Sequence, residues 1–435
     1  MDILSNMKVK LGTLLTTFSK TLDIVDKTLS NHHLRVSIIA DDIAKAYGLS
    51  LKVRKDIFIA ATLHDIGVFS LREKHMIAEY DIKNPFEHSE KGYSLMKDFA
   101  VLSNIAPIVR HHHIRWEEGR GYYSGEEKVH IGAHIIHLAD RIEILLNKNT
   151  EVLNQKDTIV KAIMSRSNIL FDPRLVEVFA DISEKECFWF DATYSELEEL
   201  ILNREVLPEK ELNIDELEET ARLFSHIIDF RSEFTAVHSA GVSAVARALS
   251  RFIGFSSLEC RLMAIAGHLH DIGKLAVPTE LLEKPAKLND EQMNVMKSHV
   301  YFSYRILESV KGLETINMWA SFHHEKMDAT GYPFHLKGDS LPIGSRIMAV
   351  ADVLTAISED RPYRKGMDKD TALSLLESLG SNNVLDREII KTATANFNYL
   401  NELRQDVQKI VKGEYENLKN NDSLSETCLS TLQGV

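Results

Sequence analysis

The chain has 435 residues, of which 44% are hydrophobic and 26% are charged. These values are ordinary for a folded protein of two or three domains, and they exclude a disordered, collagen-like or disulfide-scaffold chain. Its 64 acidic and 51 basic residues leave a net charge of −13. This excess argues against sequence-independent binding to DNA or to an anionic membrane, although a local pocket can still bind a small anion.

The cysteines and the N-terminus favour a protein of the cytoplasm. Cys187, Cys260 and Cys428 are far apart and form no CxxC pair, as expected in a reducing compartment. No apolar run is long enough to predict a membrane span. The opening MDILSNMKVKLGTLLTTFSKTL has apolar residues at helical spacing interrupted by lysines. It predicts an amphipathic helix rather than a signal peptide.

The sequence contains two copies of one unit. HSAGVSAVARALSRFIGFSS, from His238, aligns with HHLRVSIIADDIAKAYGLSL, from His32, and GHLHDIGK aligns with ATLHDIGV. Further blocks match in the same order, and the separation of aligned residues changes only from 206 (His32 to His238) to 212 (Asp140 to Asp352). Such order indicates a duplication with small loop insertions.

Both copies predict helices. Apolar residues recur at i, i+3, i+4 and i+7, and Gly48 and Gly254 stand where a helix C-cap is expected. RLMAIAGHLHDIGK predicts an apolar helix that ends at Gly273, and Asn289 or Asp290 is the expected N-cap of the helix that follows it. No convincing β pattern is present, so the sequence predicts an all-α fold.

The duplication predicts two helical bundle domains in tandem, residues 1–205 and 206–435. The boundary is expected near Pro208, where a charged stretch is interrupted.

Histidines and aspartates dominate the shared blocks. In the second copy they are His238, His270, Asp271, His299, His323, His324 and Asp352. A single buried histidine is often satisfied by a backbone carbonyl, but seven such positions repeated in two copies favour metal coordination. Imidazole and carboxylate without thiolate suit Fe, Mn, Ni or a catalytic Zn. Because seven ligands exceed the needs of one ion, the set predicts a dinuclear centre, a type that hydrolyses phosphoesters.

The second copy resembles the HD-GYP family of bacterial cyclic-dinucleotide phosphodiesterases. The resemblance rests on HDIGK, the spaced His299, HHEKMDATGYP and the later ADVLTAISEDRPYRKG, across about 130 residues. It implies an HD-type helical bundle that holds two divalent transition-metal ions, with Fe or Mn expected before Ni or Zn. One ion would be held by His238, His270, Asp271 and Asp352. The other would be held by Asp271, His299, His323 and His324.

The resemblance also implies roles around the metals. Asp271 and Lys274 would be catalytic, with Lys274 facing the scissile phosphate. The substrate loop would be formed by Asp328, Gly331, Tyr332 and Pro333, and the dinucleotide would be bound by Arg361 and Arg364. Two departures stand out. The position of a third-metal Glu in some members is Phe234, next to Glu233, which favours two metals, and Ala329 replaces the usual glycine.

The first copy keeps the ligands and loses their surroundings. A second metal set is expected from His32, His64, Asp65, His88, His112, His113 and Asp140, although His111 makes the HisHis pair ambiguous by one position. The counterparts of Lys274 and Glu325 are Val68 and Ile114, and GYP becomes Gly121–Tyr122–Tyr123. The counterparts of Arg361 and Arg364 are Asn149 and Val152. A second active site, a metal-stabilised scaffold and a regulatory site all stay open.

His130, His134 and His137 at helical spacing are interpreted as one helix face.

The predicted function is metal-dependent hydrolysis of a 3′,3′-cyclic dinucleotide to the linear 5′-phosphorylated product. Cyclic di-GMP and 3′,3′-cyclic GMP-AMP are both candidate substrates, and the first domain is expected to be structural or regulatory. The alternatives are an HD-type nucleotide phosphohydrolase and a non-catalytic cyclic-dinucleotide effector. A homodimer and partners of the diguanylate-cyclase or other signalling type are compatible with this reading; DNA is not an expected partner.

Overall fold

The computed structural model describes residues 8–23, 31–69, 86–232, 235–284, 286–360 and 365–432, with side chains up to residue 419. The chain divides into two compact units. One spans Lys10–Lys210 and is called the N-terminal unit below. The other takes in Val9 and the chain from Glu211 onward, and is called the C-terminal unit. The predicted boundary between residues 205 and 206 stays a prediction.

The N-terminal unit is built from helices. In chain order they are α1 (Leu11–Leu22), α2 (His32–Ala46), α3 (Leu51–Thr62), α4 (Phe86–Met96), α5 (Ala106–Arg110), α6 (Ile131–Leu145), α7 (Val152–Met164), α8 (Pro173–Ser183), α9 (Glu186–Thr193) and α10 (Leu197–Leu202). α2 packs against α3 and α6. Its core residues Ile38, Ile39 and Ile43 are fully buried, as the helical spacing of its apolar residues predicts.

The C-terminal unit is a second helical bundle. Its helices are α11 (Ile214–Asp229), α12 (His238–Ile253), α13 (Ser257–Leu269), α14 (Thr279–Leu282), α15 (Asp290–Glu308), α16 (Glu314–Ser321), α17 (Ile343–Ser358), α18 (Lys369–Ser381), α19 (Arg387–Ala395) and α20 (Phe397–Leu432). α12 lies at the centre and packs against α13, α17 and α20.

The short elements show where the sequence expectations hold and fail. Asn289 caps α15 and accepts a hydrogen bond from the Gln292 backbone, and Gly254 takes the left-handed conformation that ends α12. α13 stops at Leu269, before the predicted end, because the chain turns there into a 3₁₀ helix, Ile272–Ala276. A two-stranded hairpin, β1 (Tyr123–Ser124) and β2 (Glu127–Lys128), was not expected; strands of two residues carry no detectable alternation.

The all-α prediction is confirmed in both units. Within the residues described, no helix combines the length and the hydrophobicity that crossing a membrane requires.

Candidate metal centres

The predicted ligands of the C-terminal unit come from separate segments of its bundle. His238 begins α12, His299 lies within α15 and Asp352 lies within α17, whereas the HD and HH pairs lie just after α13 and α16. Donor atoms of His238, His270 and Asp352 form one group, and those of His299, His323 and His324 form another; within each group they lie within 4.8 Å of one another. The fold therefore converts seven dispersed residues into two adjacent groups.

Backbone carbonyls orient three of these imidazoles. Nδ1 of His270, His299 and His323 donates to the carbonyl oxygen of the residue three positions earlier, over 2.6 to 2.8 Å. Since a carbonyl can only accept, the proton is on Nδ1 and the lone pair of Nε2 faces the centre. A backbone carbonyl thus accounts for one nitrogen of each ring, and the other nitrogen is left to bind a metal.

Asp271 lies between the two groups. Its Oδ1 is 3.2 Å from His299 Nε2, and its Oδ2 is 3.1 Å from His270 Nε2 and 4.0 Å from His238 Nε2. Each oxygen therefore faces a different group, which is the arrangement needed by a carboxylate that bridges two ions.

Two further side chains position His238. Its Nε2 is 3.2 Å from Asp352 Oδ1, and its Nδ1 is 3.0 Å from Glu359 Oε2. Glu359 is itself hydrogen-bonded to Gln408 of α20. A carboxylate behind a metal-binding histidine fixes its tautomer and its orientation. The sequence analysis assigned no role to Glu359, although it lies in the quoted ADVLTAISEDRPYRKG run, or to Gln408, which belongs to no motif.

The glycine of HDIG lets the 3₁₀ helix approach α15. A Cβ at Gly273 would lie 1.9 Å from the backbone oxygen of His299. Ser303 completes the junction, since its hydroxyl donates to the His270 carbonyl and accepts from the Gly273 N–H, both over 2.9 Å. The motif therefore joins the two groups of ligands through their backbones.

The buried charges of the centre stabilise one another. Burial by itself would raise the pKa of Asp271, but nearby His270 and the Lys274 ammonium hold it well below its usual range. Burial lowers the pKa of His324 to about 4, and burial together with the His324 charge lowers the pKa of His323 well below its usual range. Carboxylates are thus ionised and these imidazoles neutral at neutral pH, the forms that bind metals.

The donor set fits a pair of divalent transition-metal ions. Nε2 of His270 and of His299 are buried with no hydrogen-bond partner in the protein. A buried imidazole nitrogen without a partner is costly unless something else binds it. A metal ion bound by histidine and carboxylate would satisfy these atoms.

Lys274 lies beside the centre rather than in solvent. Its Nζ is 2.6 Å from Asp271 Oδ2, and its side chain is largely buried. An ammonium group at this position can contact an oxygen anion of a ligand bound to the same centre.

The predicted substrate loop is held by the glutamate of HHE. Glu325 is 2% exposed, and its two carboxylate oxygens accept from the N–H groups of Phe334, over 2.7 Å, and Leu336, over 3.0 Å. A Cβ at Gly331 would lie 2.5 Å from the Glu325 Cα, so the loop requires glycine there. The Tyr332 ring lies 4.9 Å from that of His324. The loop is therefore built directly onto the metal-binding segment.

Two loop residues have local roles. Asp328 is exposed and accepts hydrogen bonds from the backbone and the hydroxyl of Thr330, over 2.9 and 2.7 Å. Its contribution to substrate binding stays a prediction. Ala329 has a positive φ of 63°, which explains why glycine suits this position. Pro333 follows Tyr332 in the loop, and its role in substrate binding stays a prediction. Glu233, Phe234, Arg361 and Arg364 lie outside the described residues.

Glu325→Ala should loosen the loop without emptying the centre. The substitution leaves two backbone N–H groups without their charged acceptor, and bonds to charged groups contribute about 1.5–3 kcal/mol each. We expect unfolding free energy to fall by about 3–6 kcal/mol and KM to rise, with metal content unchanged. Urea unfolding, kinetics and elemental analysis measure these. Glu325→Gln, which keeps one acceptor oxygen, should lose less; equal losses would contradict the explanation.

The N-terminal unit repeats this architecture. His32 Nε2 is 3.4 Å from Asp140 Oδ1, and its Nδ1 is 2.7 Å from Glu143 Oε2. His64 Nδ1 donates to the Ala61 carbonyl over 2.8 Å, and its Nε2 is 3.2 Å from Asp65 Oδ2. Burial would lower the pKa of His32, but Glu143 and Asp140 raise it to about 10.

The second half of this set surrounds the other oxygen of Asp65. Nε2 of His88 and of His112 are 3.3 and 3.6 Å from Asp65 Oδ1, and His113 Nε2 is 3.1 Å from His88 Nε2. His111 points elsewhere, with its Nε2 3.8 Å from Glu127. The structure therefore brings all seven predicted residues together and places the HisHis pair at positions 112 and 113.

The surroundings of the two centres differ. Val68 stands where the C-terminal unit has Lys274. Arg141 is buried and its Nη2 is 2.6 Å from Asp140 Oδ2, whereas the aligned residue in the C-terminal unit is Val353. Asn149 is exposed and Val152 is buried in the core. The N-terminal centre therefore keeps ligands but lacks the lysine beside them.

The tyrosine pair and the extra histidines of the N-terminal unit have packing partners. The Tyr122 ring contacts Trp116 and Lys128, and a Cβ at Gly121 would lie 1.9 Å from the Arg115 carbonyl oxygen. His130 caps α6, whereas His134 and His137 are buried and contact aromatic rings: Trp116 for His134, and His113 and Phe171 for His137. The three histidines thus belong to α6, as the helix-face interpretation predicts, but His134 and His137 face the interior of the unit.

Three comparisons agree with this architecture. Two HD-domain family models match the chain, at residues 29–145 and 222–389. The 3′3′-cGAMP-specific phosphodiesterase 1 of Vibrio cholerae is 29% identical over 390 residues, covering 87% of this chain and 90% of that protein. The cyclic di-GMP phosphodiesterase response regulator of Xanthomonas campestris is 37% identical over 160 residues, covering 36% of this chain and 42% of its own.

A solved structure shares the fold. The crystal structure of a cyclic GMP-AMP phosphodiesterase of V. cholerae has a TM-score of 0.62 and 23% identity, and the match covers 90% of this chain and 98% of that one. The chain thus belongs to the HD-domain family and carries two HD domains in tandem.

Proposed function

We propose that the protein is a metal-dependent phosphodiesterase that opens a 3′,3′-cyclic dinucleotide to the linear 5′-phosphorylated dinucleotide. The C-terminal unit is the catalytic one, and the N-terminal unit has a structural or regulatory role. One observation carries the assignment: Asp271 directs its two oxygens to two histidine groups, with Lys274 2.6 Å away. That combination suits an in-line displacement at a phosphodiester.

The substrate class is supported by the relatives. The relative that matches along 87% of this chain is named for 3′3′-cGAMP, whereas the cyclic di-GMP relative reported above matches 36% of it. We therefore rank 3′,3′-cyclic GMP-AMP first and cyclic di-GMP second.

Each group of the centre has a distinct task in this proposal. Bound divalent ions supply Lewis-acid activation of the phosphodiester and lower the pKa of water. The seven ligands hold them, with Asp271 shared between both positions. Lys274 neutralises charge that develops on the phosphate oxygens, and Glu325 holds the loop that carries Tyr332. Water enters the product, so one phosphodiester bond breaks and a free 3′-hydroxyl and a 5′-phosphate form.

The metals and the setting are further parts of the proposal. We favour Fe or Mn, with Ni or Zn as less suited ions, because an imidazole-rich site prefers transition metals over Mg. We place the reaction in the cytoplasm. A homodimer and partners of the signalling type are consistent with this proposal. Sedimentation of the purified protein measures whether it forms a dimer.

The deciding experiment uses full-length protein purified without oxygen. It is incubated with each of the two cyclic dinucleotides and with mononucleotides, and the products are separated by chromatography. We expect a linear dinucleotide with a 5′-phosphate. Hydrolysis of mononucleotides only would support a nucleotide phosphohydrolase instead. Tight binding of a cyclic dinucleotide with no product, in metal-loaded protein, would support an effector.

Lys274→Ala should lower kcat by about 100- to 1,000-fold, the cost of removing one donor that stabilises developing charge. Metal content should stay near normal, because Lys274 is not a ligand. Steady-state kinetics and elemental analysis measure the two effects, and Lys274→Arg, which keeps the charge, serves as the matched variant. An unchanged kcat in Lys274→Ala would remove the lysine from the mechanism.

A further inference from the structure

His33 faces the N-terminal centre and was not among its predicted ligands. It is the second residue of α2 and is 1% exposed. Its Nδ1 lies within ion-pair distance of Asp23 Oδ1, at 2.9 Å, and its Nε2 lies 3.9 Å from Asp65 Oδ2; neither nitrogen makes a hydrogen bond of good geometry within the protein. Ligand atoms of His33, His64 and Asp65 all lie within 4.8 Å of one another. A carboxylate behind one ring nitrogen and an unpartnered second nitrogen are the features of a metal-binding histidine.

The C-terminal unit has the same support without the histidine. Asp229 accepts from the backbone and the hydroxyl of Ser239, over 2.9 and 3.0 Å, just as Asp23 accepts from the His33 backbone over 3.3 Å. Ser239 therefore occupies the place of His33, and its hydroxyl is bound to Asp229. The carboxylates of Asp23 and Asp229 thus have the same place in the two units, but only in the N-terminal unit does the side chain beside them, that of His33, reach the metal centre.

The two units also differ at one oxygen of the shared aspartate. Asp271 Oδ2, which faces His270, is paired with Lys274 over 2.6 Å. Asp65 Oδ2, which faces His64, has His33 and His32 each at 3.9 Å. At this oxygen the C-terminal unit has the ammonium group of Lys274, whereas the N-terminal unit has the uncharged imidazole of His33. The difference adds a potential metal ligand and removes a positive charge.

The number of donors changes what the N-terminal centre can do. His33 adds an imidazole to His64 and Asp65, beside the group formed by His32, His64 and Asp140. Arg141 binds Oδ2 of Asp140, and Oδ1 of the same carboxylate faces His32. Catalytic metal sites keep a position open for water or substrate, whereas structural sites are filled by protein ligands.

We propose that His33, positioned by Asp23, is an additional ligand of a first-row transition-metal ion in the N-terminal unit and closes that ion to external ligands. The centre then retains its metal and takes no substrate. This inference concerns metal retention alone, so it stands or falls independently of the hydrolysis proposed for the C-terminal unit.

The test measures metal exchange and access in full-length protein. The Asp271→Ala background weakens the other centre, so that a spectral change caused by substituting His33 reports the N-terminal one. Azide is the probe of an open position. We expect a larger saturable azide-dependent change of the cobalt spectrum in His33→Ser than while His33 is present. An equal azide response with and without His33 would overturn the proposal.

Chelator competition supplies a second readout in the wild-type background. Asp23→Asn should weaken retention of the N-terminal metal about 10- to 100-fold, the cost of losing an outer partner, and His33→Ser should weaken it more. His134→Ser is the matched control, because His134 is buried in the same unit and packs on Trp116 away from Asp65. Should His33→Ser fail to fold, Asp23→Asn decides. Retention equal to the control in both variants would refute the role of His33.

Discussion

Asp271→Ala should abolish turnover, by more than about 1,000-fold, and should remove at least one metal ion per chain. The residue is buried, and its oxygens face His270 on one side and His299 on the other. Losing it therefore removes a ligand from both positions at once. It also leaves the Lys274 ammonium, which is largely buried, without its partner.

Kinetics with the preferred cyclic dinucleotide and elemental analysis of the same preparation measure the two effects. Circular dichroism establishes that the variant is folded. Asp271→Asn separates charge from size, because the amide keeps the shape of the side chain but bridges two cations poorly; it should resemble alanine. A variant at position 271 with full activity and two metal ions in the C-terminal unit would disprove the dinuclear assignment.

Asp65→Ala, the same change in the N-terminal unit, should leave most of the turnover in place. This is the strongest expected contrast between the two units, since the aligned residues have nearly the same surroundings. Asp65 Oδ1 and Oδ2 face histidines at 3.2 to 3.6 Å, as those of Asp271 do at 3.1 to 3.2 Å. Yet among the described residues no lysine lies beside it, since Val68 stands at the position of Lys274. The expected effects are loss of metal from the N-terminal unit and a lower thermal midpoint.

His32→Ala and His238→Ala extend the comparison to a second aligned pair. His238→Ala should abolish activity, whereas His32→Ala should change stability or modulate the rate. Turnover and metal content of all four variants, measured in full-length protein, test the assignment. Loss of all hydrolysis in Asp65→Ala, with the fold and the C-terminal metals intact, would mean that the N-terminal centre takes part in the chemistry.

The two centres also show how a duplicated site diverges. Each places a glutamate behind its first histidine, Glu143 behind His32 and Glu359 behind His238. These glutamates do not align, since Glu143 lies one turn after Asp140 on α6 and Glu359 follows the end of α17. The same hydrogen bond is thus reached from different positions, and sequence alignment could not pair them.

The sequence by itself determined the helical class and the duplication, and it predicted both ligand sets and the inequality of the two units. These features rest on local patterns: apolar spacing sets the helices, and HD and HH pairs keep their order in both copies. Val68 opposite Lys274 is likewise visible in an alignment of two blocks. The early end of α13 was not predictable, because the 3₁₀ turn depends on the approach of Gly273 to His299 on another helix.

Only the tertiary structure decided how the ligands are held and which further side chains join them. Glu143, Glu359 and Gln408 act across long separations in sequence, and Asp23 acts on His33 ten residues later, so their roles follow from where helices pack. His33 illustrates the same limit. In the sequence it is the neighbour of a predicted ligand; in the fold, the N-terminal turn of α2 directs both imidazoles toward Asp65. At this helix start the His33 backbone N–H donates to Asp23, a contact that depends on the fold and not on a local sequence pattern.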